Sequence, residues 1–216
     1  MILTFATQKG GVGKTTLAIA FANYLSLVKN KQVKVFDFDF QRSFFQKWEE
    51  DKALSLPELY EVEIVGDPNQ QESLLDFQDI ADMKQSDTYY IFDLAGTLDE
   101  KYIELLVYSD FVIIPFEYSD VSVKSTLVFI NVLGMVESQA NRVFIRSKYD
   151  KGYLYKNQAE MDEEIRKYGR ILSSPVYKRN ILQSINTRKL SYEQRDAVKK
   201  PFEELIQIIE YIHESS

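Results

Sequence analysis

An apolar run, a glycine-rich turn and a helix-forming run follow one another within the first 27 residues, and this succession restricts the fold most. Ile2 to Ala6 is the apolar run, Gln8-Lys9-Gly10-Gly11-Val12-Gly13-Lys14-Thr15-Thr16 the turn, and Leu17 to Leu27 the helix former. Three of the eight glycines sit in this one turn. Glycine admits backbone conformations in which successive N–H groups point inward around an anion. A helix that starts directly afterwards adds its unpaired N-terminal donors and the positive end of its dipole. Lys14 then supplies a mobile cation for outer phosphates, and the Thr15 hydroxyl suits a magnesium ion. The general phosphate-loop pattern is G-x-x-x-x-G-K-[ST]. Here Gln8 stands at its first position and a second lysine, Lys9, follows. By itself Lys9 reads as a solvated surface lysine.

Six apolar runs are expected as buried strands: Ile2–Ala6, Val33–Phe38, Val62–Val65, Tyr89–Phe92, Phe111–Pro115 and Arg142–Ile145. Stretches of helical spacing lie between most of them, clearest at Lys14–Leu27, Leu74–Met83, Leu98–Tyr108 and Val121–Val136. Strands alternating with helices predict an α/β fold, a doubly wound and mainly parallel sheet flanked by helices. Ligands of such sheets sit at the carboxyl ends of strands. The last third reads as mostly helical, with candidates at Met161–Tyr168, Ile181–Ile185 and Pro201–His213, Pro201 being suited to a first helical position. Asp67-Pro68-Asn69 reads as a turn. The 216 residues, 45% of them apolar, fit one domain, its nucleotide-binding half about 1–120 and a basic part about 146–216.

Two further segments carry chemistry. Asp37 and Asp39 lie on one face of an extended chain at the end of the second run, where a carboxylate can orient water toward a γ-phosphate. Tyr89-Tyr90-Ile91-Phe92-Asp93-Leu94-Ala95-Gly96 is an apolar strand ending in a carboxylate able to hold magnesium. Gly96 lets backbone approach the γ-phosphate. Thr15, Asp93 and Asp39 are thus the candidate metal residues. Arg146, after the sixth run, either stacks on a base or is an ordinary surface arginine.

Lys9-Gly10-Gly11-Val12-Gly13-Lys14-Thr15-Thr16 resembles the deviant phosphate loop of the ParA/MinD ATPases, and Gln8 is closer to the ParA branch. The resemblance implies a P-loop fold of that family, ATP and Mg2+ as ligands, and an ATP-dependent homodimer. It implies that Lys9 reaches the partner subunit's nucleotide. Asp37-Phe38-Asp39-Phe40-Gln41 resembles the family's Asp-x-Asp-Pro-Gln, with Phe40 in place of proline. This assigns Asp39 to water positioning and Asp37 to its support. Asp93-Leu94-Ala95-Gly96 resembles Asp-x-Pro-Gly. The asparagine that the family commonly places after its sixth strand to read adenine is missing, so adenine rests on the resemblance alone. The catalytic residues implied are Lys9, Lys14 and Asp39. The nucleotide-binding ones are Lys9, Gly10, Gly11, Val12, Gly13, Lys14, Thr15, Thr16, Gly96 and Arg146.

Charge separates the chain into two parts. Residues 142–200 hold 15 Lys and Arg against 7 Asp and Glu, although the whole chain carries −7. Lys178, Arg179, Arg188, Lys189, Arg195, Lys199 and Lys200 are candidates for contacts with DNA phosphates without sequence readout, or else solvated helix faces. The ParA resemblance implies non-specific DNA binding and a ParB-like or other adaptor that stimulates a slow ATP hydrolysis. With no cysteine in the chain, disulfides, thiol catalysis and iron–sulfur clusters are excluded. Met1 leads directly into the first run, so no signal peptide and a cytoplasmic location are expected. The last helical stretch is acidic on its polar face, which predicts no membrane anchor. Two other functions remain open from the residues: a small-molecule ligase of the dethiobiotin synthetase kind, and a non-hydrolysing interaction protein switched by ATP.

Overall fold

The structure, a computed structural model, describes residues 1–65, 75–96 and 102–214. One sheet of seven strands organises it: β1 (Ile2–Phe5), β2 (Val33–Phe38), β3 (Glu61–Ile64), β4 (Tyr89–Leu94), β5 (Phe111–Phe116), β6 (Asn141–Arg146) and β7 (Arg170–Ile171). Their order is β3-β2-β4-β1-β5-β6-β7, and every pairing is parallel. The helices are α1 (Lys14–Lys29), α2 (Ser43–Glu50), α3 (Phe77–Gln85), α4 (Ile103–Tyr108), α5 (Asp120–Met135), α6 (Gln158–Arg166) and α7 (Tyr192–Glu214).

Strand alternation explains the two layers. Leu3, Phe5 and Val35 face one side, where they pack with Phe21 and Leu25 of α1 and with Phe202, Leu205 and Ile209 of α7. Ile2, Phe36, Phe38 and Phe92 face the other, with Ile80, Leu105, Phe129 and Ile165 from α3 to α6. A sheet covered on both faces must be apolar nearly throughout, and β5 is buried at all six positions.

Several boundaries differ from expectation. The seventh strand, β7, has only two residues, too short for any apolar pattern. Helix α2, also unanticipated, follows directly on the Asp39 turn. Helix α7 begins at Tyr192, so Pro201 lies inside it and not at its start. The actual start is a reciprocal cap: Gln194 N–H donates to Ser191 Oγ at 3.2 Å, and Ser191 N–H donates to Gln194 Oε1 at 2.9 Å. The helix expected at Ile181–Ile185 is a single 3-10 turn at Asn180–Leu182. Asp67-Pro68-Asn69, Leu74 and residues 97–101 of the expected helices lie outside the described residues.

β1 has β4 on one side and β5 on the other, so the chain reverses its direction of winding there. The register sets Phe5 beside Asp93 and Asp93 beside Asp37. The turn after β1 and both carboxylates therefore meet at one edge of the sheet, at the crevice where open α/β sheets bind ligands.

Candidate nucleotide site

The turn between β1 and α1 is shaped as its glycines predict. Gly11 and Gly13 have φ of 79° and 88°, a region closed to most side chains. Gly13 caps α1 and accepts the first helical bond from Leu17 N–H at 2.9 Å. Two carbonyls of the turn are engaged outward by the segment after β6: Ser147 Oγ donates to Val12 O at 2.7 Å, and Lys148 Nζ donates to Gly11 O. Among the described residues, no hydrogen bond engages the N–H groups of Gly10 to Thr16. Gly10 and Gly11 are exposed and Val12 to Thr16 buried or half-buried, and N–H groups without an internal partner around such a turn suit an anion.

Lys14 and Asp93 form the floor. Lys14 is buried and its Nζ lies 2.5 Å from Asp93 Oδ1. Thr15 Oγ1 donates to Asp93 Oδ2 at 2.7 Å. A hydroxyl and a carboxylate this close are hard oxygen donors of the kind that would suit Mg2+. Gly96 lies against the turn: a Cβ there would sit 3.8 Å from Gln8 O, Thr7 O and Gly10 N.

Asp37 and Asp39 separate in role. Asp37 is fully buried, and its two carboxylate oxygens accept Asp39 N–H at 3.0 Å and Phe45 N–H at 2.9 Å. It thereby ties the start of the Asp39 turn to the first turn of α2. Burial first, and then the charge of neighbouring Asp93, push its carboxyl up to about 6, against the partial relief of those two N–H bonds. Asp39 is half-buried and its Oδ1 caps its own turn, accepting Gln41 N–H at 2.9 Å.

Lys9 stands at the rim within its own subunit. Its Nζ is 3.4 Å from Glu117 Oε2 and donates to Ser119 Oγ at 3.2 Å. Lys148 reaches the other oxygen of Glu117 at 3.7 Å.

A pocket of about 490 Å³ opens beside the turn, bounded by Gly13, Thr16 and Ser147 at its inner end and by Tyr118, Tyr149, Tyr155 and Tyr177 along its wall. Arg146 is not on that wall. Its Nη2 donates to Leu172 O at 3.0 Å and lies 3.9 Å from Asp162, so the side chain braces β6 against β7 and α6. Arg146, expected either to stack on a base or to lie at the surface, is held in this brace, and the pocket is walled by tyrosines. Their signal is Tyr149 and Tyr155 just after the sixth run, which look like scattered composition until Tyr149 and Tyr177 pair in a bridge.

The basic candidates divide as well. Lys178, Arg179, Lys189, Arg195, Lys199 and Lys200 are exposed. Arg188 is not: it is 3% exposed, its guanidinium lies 5.2 Å from the Trp48 ring centre, and Nη2 donates to Trp48 O and Glu58. It packs the segment before α7 onto α2 and cannot meet a DNA phosphate from there.

The model of the CobQ/CobB/MinD/ParA nucleotide binding domain matches residues 3–201. The chain belongs to this family. A comparison with curated proteins found no match. Solved ParA/MinD-type structures share the fold over nearly the whole chain. A putative plasmid partition protein from Borrelia burgdorferi bound to AMPPNP is 21% identical, with a TM-score of 0.71, covering 96% of this chain and 97% of that one. MinD in a MinC:MinD cell division complex from Aquifex aeolicus is 15% identical, with a TM-score of 0.70 over 96% and 95%. The pNOB8 ParA bound to nonspecific DNA is 16% identical, with a TM-score of 0.61 over 97% and 98%. The turn after β1 is thus the phosphate loop of a ParA/MinD-family domain, and its sheet is the family's P-loop sheet.

Proposed function

We propose that the chain is a ParA-like Mg-ATP-dependent ATPase that dimerises around nucleotide and positions a plasmid, chromosome or mobile-element cargo. The observation that carries this is the Lys14–Asp93–Thr15 cluster beneath a turn of unengaged N–H groups. A triphosphate would draw Lys14 off Asp93 and fill the turn. Thr15 and Asp93 would hold Mg2+, which neutralises charge on the phosphate oxygens when bound. Asp39 would position the attacking water, and Lys9 would leave Glu117 for the partner's nucleotide, where it offsets transition-state charge. The base would lie against Tyr118, Tyr149 and Tyr155 of the tyrosine wall. Residues 1–216 would act as one such domain.

The relatives support the reading: the Borrelia protein holds AMPPNP, pNOB8 ParA holds nonspecific DNA and MinD holds MinC. Slow hydrolysis, stimulation by a ParB-like or other adaptor, and non-specific DNA binding by the exposed basic residues belong to the proposal. So does a cytoplasmic, nucleoid-associated location. Among the described residues, no helix is long and apolar enough to cross a membrane.

Molecular mass in solution with ATP, with ADP and without nucleotide, repeated with plasmid DNA at two salt concentrations, tests the proposal. An ATP-specific dimer that binds DNA in a salt-sensitive manner is expected. A protein that stays monomeric with ATP and ignores DNA would overturn it.

A further inference from the structure

The tyrosine-walled pocket extends outward from the phosphate-loop turn. Its inner end at Gly13 and Thr16 adjoins the phosphate loop, while its outer end is lined by Tyr153, Tyr177, Lys178 and Arg179. A second hollow of about 280 Å³ shares Tyr149, Tyr177, Lys178 and Arg179 with it and adds Lys151. Sharing these four residues, the two form one trough that leads from the phosphate-loop turn to the surface.

The trough is stiff and combines two chemistries. Tyr149 and Tyr177 pair in a parallel bridge, with Tyr149 N–H donating to Val176 O and Lys178 N–H to Tyr149 O, both at 3.0 Å. Their ring centres are 5.9 Å apart, Tyr155 lies 5.1 Å from Tyr149, and Tyr153 lies 4.9 Å from Tyr155. This line of rings ends on Tyr153, which is 65% exposed. Lys151 Nζ sits 4.3 Å from the Tyr177 ring centre, and Lys178 and Arg179 are exposed beside it. Asp150, the carboxylate of the outer hollow, is tied up by Gly152 N–H at 2.9 Å. Among the described residues Arg179 has only a loose pair with Asp196, at 3.7 Å and exposed to solvent. One exposed tyrosine needs no explanation, and neither does one lysine. A row of rings that reaches solvent between three cations is the arrangement that binds unpaired bases and their phosphates.

We infer that this outer trough binds single-stranded nucleic acid, with Tyr153 and Tyr177 as stacking platforms and Lys151, Lys178 and Arg179 against the phosphates. The inference rests on the proposed function in one respect, that the inner end of the pocket belongs to the nucleotide. It moves Lys178 and Arg179 from a duplex-binding face to a single-strand channel.

The test titrates the whole protein into a fluorescently labelled 20-nucleotide oligothymidylate and into a labelled duplex of equal length. Both titrations run at low salt with saturating Mg-AMPPNP. The single strand should bind with nucleotide present, and Tyr153→Ala should weaken it about tenfold or more, while Tyr153→Phe keeps it. Duplex affinity should change by less than about twofold in Tyr153→Ala, and the Lys178→Ala/Arg179→Ala pair should flatten the salt dependence of single-strand binding. Absence of single-strand binding, an unchanged affinity in Tyr153→Ala, or competitive displacement by AMPPNP would each overturn the inference. AMPPNP affinity measured on the same variants separates its failure from that of the ATPase reading: Tyr153→Ala should leave that affinity intact.

Discussion

Single side chains divide the chemistry at the β2 and β4 ends. Asp37 serves the backbone, and Asp39 stays half-buried at the rim, where the proposed function gives it the attacking water. Asp39→Ala should therefore allow ATP-bound dimers yet abolish turnover, read by solution mass and phosphate release on the same sample. Asp37 carries its own signature. Its carboxyl is raised to about 6 in the folded, nucleotide-free protein, against an ordinary 3.8. Between pH 6 and 4 the folded form thus holds a proton that the unfolded chain releases, so stability rises as pH falls through this window. The group contributes up to about 3 kcal/mol to that rise. Urea unfolding of the nucleotide-free protein at pH 4.5 and 6.5 should show it in the wild type, with the increment absent in Asp37→Asn.

At the level of elements, the edge of the sheet depends on one close approach. Gly169 joins α6 to β7 directly against β6, where a Cβ would meet Arg142 O at 2.4 Å, Arg142 Cβ at 2.8 Å and Phe144 Cε2 at 2.9 Å. Two of these are backbone or Cβ atoms of a central strand and cannot swing away. Gly169→Ala should cost about 1–3 kcal/mol by overpacking, seen as a lower urea midpoint with unchanged slope. The same junction explains why β7 escaped a reading by pattern. Two residues carry no periodicity, and the strand exists because Leu172 N–H meets Phe144 O at 3.0 Å and Glu204 of α7 holds Ser173 N–H at 2.7 Å. The start of α7 was legible, by contrast, in the Ser191-x-x-Gln194 cap. Pro201 pointed to a start nine residues later because its missing N–H costs least in a first turn.

For the whole molecule, the proposed dimer turns on the position of Lys9. Its ammonium now rests on Glu117 and Ser119 of its own subunit. Lys9→Ala should retain Mg-ATP binding but lose the ATP-dependent dimer and hydrolysis; a variant that still dimerised and turned over normally would sink the cross-subunit role. The sequence by itself determined the alternating layers, the phosphate loop and the residues Lys14, Thr15 and Asp93, because each is encoded locally: apolar runs of strand length, glycines where φ is positive, a carboxylate at a strand end. Tertiary structure decided the rest. Arg146 and Arg188 look like surface cations in one dimension, yet packing turns one onto Leu172 O and the other onto Trp48. The tyrosine wall is drawn from the segment after β5, the segment after β6 and the segment before Asn180, up to 59 positions apart in the chain, and only the parallel register of the sheet sets their rings side by side.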